Sequence, residues 1–119
     1  MEVLGFEKII TDYSIITAGV TKKFLKSNNL CKVSFKFPKD AATHCTSVNL
    51  VGDFNAWDIY ATPMKKDADG NFIVTIDLEK GREYQYRFLI DETRWENDWH
   101  ADRYVPSPYG QVENSVVVV

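Results

Sequence analysis

Residues 66–90 read Lys66-Asp67-Ala68-Asp69-Gly70-Asn71-Phe72-Ile73-Val74-Thr75-Ile76-Asp77-Leu78-Glu79-Lys80-Gly81-Arg82-Glu83-Tyr84-Gln85-Tyr86-Arg87-Phe88-Leu89-Ile90. Asp69-Gly70 is turn chemistry, since both residues tolerate positive φ, and the apolar residues that follow recur every second position. Phe72, Val74, Ile76 and Leu78 fall on one face, with Ile73, Thr75 and Asp77 on the other. Glu79-Lys80-Gly81-Arg82 reads as a second hairpin turn. The next strand places Tyr84, Tyr86, Phe88 and Ile90 inward and Gln85, Arg87 and Leu89 outward. A period of two sustained over such a stretch belongs to half-buried antiparallel sheet.

The same pattern runs outward from this segment. Upstream, Val33, Phe35 and Phe37 alternate with Lys32, Ser34 and Lys36, and Val48 and Leu50 lead to Gly52. Downstream, Asp91-Glu92-Thr93-Arg94 turns again into a short return strand over Arg94–Glu96. An irregular stretch containing Pro106, Pro108 and Gly110 precedes the run Ser115–Val119. About seven short strands divided by turn signals, without a convincing long helix, specify an all-β, immunoglobulin-like antiparallel sandwich. Phe35, Val74, Ile76, Tyr86 and Phe88 are expected at its core. Residues 1–30 form an N-terminal extension with no clean alternation, in which Ile9, Ile10, Tyr13, Ile15 and Ile16 have strand propensity and 22–26 is a candidate first strand. Residues 31–119 form the sandwich.

At 119 residues the chain has the size of one domain. Its net charge of −3 argues against a dedicated nucleic-acid binder, which needs an excess of Lys and Arg to neutralise phosphates. Lys22, Lys23, Lys26, Lys32, Lys36 and Lys39 crowd the first third, but they alternate with apolar residues as on a solvated strand face. No apolar run is long enough to span a membrane. No basic-then-apolar leader opens the chain, and Cys31 and Cys45 are too few for a disulfide framework. These features point to a cytoplasmic setting with both thiols free, Cys45 the more accessible and open to titration in the native protein.

Catalytic signatures are wanting. His44 and His100 stand apart from any Cys or His at zinc-ligand spacing, and no nucleophile elbow, phosphate loop or Cys-x-x-Cys occurs. Asp67–Asn71 faintly resembles a calcium loop, but its Gly is misplaced and Leu78 stands where the bidentate Glu belongs. The expectation is therefore no enzyme, no metal and no cofactor.

Aromatic side chains make up 13% of the chain, and the three tryptophans, Trp57, Trp95 and Trp99, break the core alternation. A tryptophan outside the alternation either plugs the end of the sandwich or meets a ligand. Sugars suit the second role: a pyranose lays its C–H face on an indole while its hydroxyl rim bonds amides, carboxylates and guanidinium groups.

Val51-Gly52-Asp53-Phe54-Asn55-Ala56-Trp57-Asp58, Pro63-Met64, Gln85–Asp91, Trp95 and Glu113-Asn114-Ser115-Val116 together resemble family 48 carbohydrate-binding modules. These are the isoamylase N-terminal, early-set immunoglobulin-like domains, of the type found as the glycogen-binding domain of the AMP-activated protein kinase β subunit. The similarity runs from about Lys32 to Val119, and the chain looks closest to free-standing bacterial forms. The resemblance implies a non-catalytic module for an α-1,4-glucan of the glycogen or starch type, with a glycogen-metabolising enzyme as a further candidate partner. It implies two stacking tryptophans at Trp57 and Trp95, the loop before Trp95 being one residue longer than the family's. The family's bonding lysine falls on Arg87, its sugar-contacting leucine on Tyr109 and its asparagine on Glu113, with Asn114 beside it. The alternative reading is an immunoglobulin-like domain that keeps the fold but docks on a protein.

Overall fold

The computed structural model describes residues 12–17 and 19–119, and the propensity noted at Ile9 and Ile10 lies outside the described residues. Ten strands occupy the described part: β1 Tyr13–Ile16, β2 Val20–Phe24, β3 Leu30–Phe37, β4 Val48–Gly52, β5 Lys65–Lys66, β6 Phe72–Glu79, β7 Glu83–Ile90, β8 Arg94–Glu96, β9 Arg103–Pro106 and β10 Glu113–Val118. No α-helix occurs among the described residues, and two single 3₁₀ turns, Lys39–Ala41 and Asp53–Asn55, complete the regular structure. No helix among them is long and apolar enough to cross a membrane.

The strands form two antiparallel sheets packed as an immunoglobulin-like sandwich. One has the order β1-β2-β3-β6-β5 and the other β4-β7-β10-β9, with β8 paired to β7. Inward parity is as the alternation requires: Cys31, Val33, Phe35 and Phe37 of β3 face Tyr84, Tyr86, Phe88 and Ile90 of β7, all buried. The rings interlock edge-on, Phe35 on Tyr86 at 4.9 Å between centroids and Phe37 on Phe88 at 5.2 Å. Val74 and Ile76 share the inward parity of β6 but are only partly buried. Among the described residues their strand is flanked on that edge by β5 only at Phe72 and Ile73.

The Asp67–Asn71 turn closes the β5–β6 hairpin, with Gly70 at φ 93° and Asp67 Oδ1 accepting the N–H groups of Asp69 and Asn71. The second expected hairpin, at Glu79–Arg82, is absent. β6 and β7 lie in different sheets, and this segment carries the chain across the sandwich. Its backbone bonds go elsewhere: Lys80 N–H donates to Asn29 O and Gly81 N–H to Val119 O. A Gly at positive φ serves a crossover as well as a hairpin, so turn chemistry did not distinguish them. The irregular stretch after Trp99 also contains the strand β9, and β10 lies between β7 and β9.

Cys31 and Cys45 are free and both buried, Cys45 only slightly less so. Burial raises both thiols above their ordinary pKa, so neither is the readily titrated sulfur expected.

Candidate functional site

β7 is paired along one flank with β4, whereas its other flank is shared. β10 pairs with residues 83–86 and β8 with residues 88–90. Arg87 sits at the junction, on the outward face, where the side chains of both neighbouring strands can reach it. Continuing the β10 register brings Asn114 beside it, and Trp95, opposite Leu89, is its diagonal neighbour. The contacts follow from this placement. Arg87 Nε donates to Asn114 Oδ1 at 2.7 Å, and the guanidinium lies over the Trp95 ring, 5.3 Å from its centroid. Asn114 Nδ2 donates to Gln85 Oε1 at 3.0 Å, tying the outward residues of β7 and β10 into one array.

The segment after β4 brings up Trp57, and each residue in it has a local task. A Cβ on Gly52 would stand 2.5 Å from Gln85 O and 2.7 Å from Tyr86 Cβ, so only glycine lets β4 end this close to β7. Phe54 turns inward onto Phe35 and Tyr86. Asn55 Oδ1 accepts Gly52 N–H, and its amide donates to Leu50 O and Thr62 Oγ1. Ala56 and Trp57 both take φ 58°, left-handed backbone that non-glycine residues adopt only when their surroundings enforce it. Trp57 N–H donates to Gly52 O, and its indole Nε1–H donates to Asp53 Oδ1 at 2.9 Å. The other oxygen of Asp53 accepts Gln85 N–H at 2.7 Å, so one carboxylate joins the tryptophan to β7.

Trp95 is presented on a hairpin. Asp91 and Glu92 take φ 53° and 61°, the backbone a tight turn from β7 into β8 requires. Asp91 Oδ1 accepts the N–H groups of Thr46 and Ser47 and the Thr46 hydroxyl. The two backbone N–H bonds hold the Asp91 carboxyl below its ordinary pKa. Trp95 itself is 42% exposed.

These elements enclose an open concavity of about 650 Å³, lined by Asp53, Trp57, Gln85, Arg87, Trp95, Tyr109 and Asn114, with Ile59 and smaller side chains between them. Five of the six residues singled out from sequence thus meet at one place: Trp57, Arg87, Trp95, Tyr109 and Asn114. Tyr109, on the loop between β9 and β10, is 89% exposed, and its backbone N–H donates to the buried Ser107 Oγ. Glu113 does not line the concavity. It has the opposite strand parity, that of Ser115 and Val117, and its carbonyl accepts Asn97 Nδ2. Its neighbour Asn114, of the other parity, does line the concavity. Asp53 and Gln85 were missed as lining residues, although the outward parity of Gln85 was legible in the sequence. Trp99, 59% exposed, lies outside the concavity.

Behind the site runs a buried polar chain. Asp98 accepts the Tyr86 hydroxyl at 2.8 Å and His100 N–H, and its own N–H donates to Ser115 Oγ. Burial raises the Asp98 carboxyl above its ordinary pKa, while burial and the neighbouring Asp98 push the Tyr86 phenol up.

The family model for carbohydrate-binding module 48, the isoamylase N-terminal domain, matches residues 41–110. That span includes both edge tryptophans, the Asp53 loop and all of β7. A curated relative, the 1,4-alpha-glucan branching enzyme GlgB of Aquifex aeolicus (strain VF5), is 46% identical over 48 residues, which is 38% of this chain and 8% of that enzyme.

Proposed function

The chain belongs to carbohydrate-binding module family 48, and from that premise we propose that it is a non-catalytic binder of α-1,4-glucan chains, with Trp57 and Trp95 as its stacking platform. The observation that carries this reading is the convergence of both tryptophans, Tyr109 and Arg87 on a single concavity. Aromatic faces take the C–H surface of glucose units, while Arg87 and the Gln85 amide meet ring hydroxyls. Asn114, 3% exposed and bonded through both amide atoms, acts by holding Arg87 and Gln85 in place. The relative named for branching of 1,4-alpha-glucan points to the same polymer.

Binding without catalysis agrees with the acids available. Glycoside hydrolysis uses a pair of carboxylates across the scissile bond. Among the described residues Asp53 is the one carboxylate lining the concavity, and both its oxygens accept bonds, from Trp57 and Gln85. A shallow aromatic surface with few buried hydrogen bonds supports about 4–6 kcal/mol, roughly millimolar to tens of micromolar, raised by multivalency along a polymer. Affinity electrophoresis through glycogen and amylopectin, with calorimetry on β-cyclodextrin, tests the reading. Retardation by both polymers and saturable heat with the cyclodextrin are expected. A chain that ignores all three would leave the concavity to a protein partner.

A further inference from the structure

The four arginines of the chain do not share one environment. Arg82 pairs with Glu79, Arg94 with Glu96 and Arg103 with Glu83, all near the surface. Arg87 has no carboxylate partner among the described residues, yet it is partly buried, and desolvation lowers its pKa. Its Nε is taken by a neutral amide oxygen and one face by the Trp95 ring, and its terminal nitrogens have no hydrogen-bond partner among the described residues.

The acceptors around it each hold one donor already. Asn114 Oδ1 serves Arg87, Gln85 Oε1 serves Asn114, and the two oxygens of Asp53 serve Trp57 and Gln85 N–H. What faces the concavity near Trp95 with no hydrogen-bond partner among the described residues is a pair of donors, the Arg87 fork and the Gln85 NH₂, beside the Tyr109 hydroxyl, which both donates and accepts. A sugar hydroxyl both donates and accepts, so a floor of donors uses half of its capacity. A phosphate monoester only accepts, carries the missing counter-charge, and suits the planar guanidinium fork.

We infer that this site takes α-glucan chains bearing a phosphate monoester in preference to the same chains without one. The inference rests on the α-glucan reading of the site and adds a charge preference to it. The bound phosphate lies at the Trp95 end, away from the Asp53 carboxylate beside Trp57.

Calorimetric titration of the whole chain with maltoheptaose, with its 6-phosphate monoester and with inorganic phosphate tests it. The phosphorylated chain is expected to bind about tenfold tighter than maltoheptaose at low salt, the gap narrowing as ionic strength rises. In Arg87→Gln both affinities fall and their ratio collapses towards one, while Arg87→Lys, which keeps the charge, retains part of it. Equal affinities in the parent chain, or a ratio unmoved by Arg87→Gln, would overturn the inference and leave the α-glucan reading standing. Inorganic phosphate binding as tightly as the phosphorylated chain would also overturn it, in favour of a plain anion site. Heat from neither oligosaccharide would remove the inference and the α-glucan reading together.

Discussion

The loop Gly52–Trp57 and the hairpin Asp91–Glu96 each bring a tryptophan to the same concavity, but they hold it by different means. The loop is fixed from within. Phe54 packs against the core, Asn55 bonds the backbone of Leu50 and Gly52 and the Thr62 hydroxyl, and Asp53 ties the Trp57 indole to β7. The hairpin is fixed at its turn by Asp91, while Trp95 beyond it is left with one cationic neighbour and a large exposed area. One tryptophan is thus part of the scaffold and the other is mounted on it. The difference teaches that fold and binding are separable at Trp95 and entangled at Trp57.

The comparison breaks most severely at Gly52. Any side chain there meets the Gln85 carbonyl oxygen and Tyr86 Cβ of β7, so Gly52→Ala is expected to cost about 3 kcal/mol or more in urea denaturation. A cost under about 1 kcal/mol would show that the loop is not fixed by this close approach.

Asp53→Ala should cost less, about 1 kcal/mol, through the two hydrogen bonds it removes. It should also weaken glucan binding by freeing the Trp57 ring. Indole fluorescence anisotropy would report that freedom, and an unchanged anisotropy would deny Asp53 its positioning role.

On the hairpin side the test is acid. A carboxyl whose folded pKa is depressed contributes stability above its unfolded value, about 3.9 for Asp, and loses it as pH falls through the lower folded value. The melting temperature of Asp91→Asn should therefore lie below the parent's at neutral pH and converge with it at acid pH. Asp98 contributes with the opposite sign, since its raised pKa favours the folded state as it protonates. The variant difference, rather than the parent's own pH curve, isolates Asp91. A constant gap down to acid pH would mean that the turn does not depend on the charge.

The sequence reading was strongest where periodicity carried it. Residues 30–37 and 83–88 alternate cleanly because each stretch has one wetter and one dry face, whereas at the end of β7 the outward Leu89 is buried along with its inward neighbours. It failed where an outcome depends on which strand pairs with which. The Glu79–Arg82 turn looks the same whether it closes a hairpin or crosses between sheets. Strand β9 was hidden by its proline and polar residues, and β5 is too short to show a period. At the site, the tryptophans and Arg87 were legible from motif and parity. The choice between Glu113 and Asn114 was not, because it is decided by the register of β10 against β7. The linkage of Trp57 to Gln85 through Asp53 spans 32 positions and exists only in the folded chain.

The account turns on Trp95 being exposed for a ligand rather than for packing. Trp95→Ala, followed in parallel by thermal unfolding and by calorimetric titration with β-cyclodextrin, tests this most directly. The expected result is a stability change within about 0.5 kcal/mol, as for a surface substitution, together with loss of detectable binding. A variant that unfolds, or one that binds the cyclodextrin as the parent does, would contradict it.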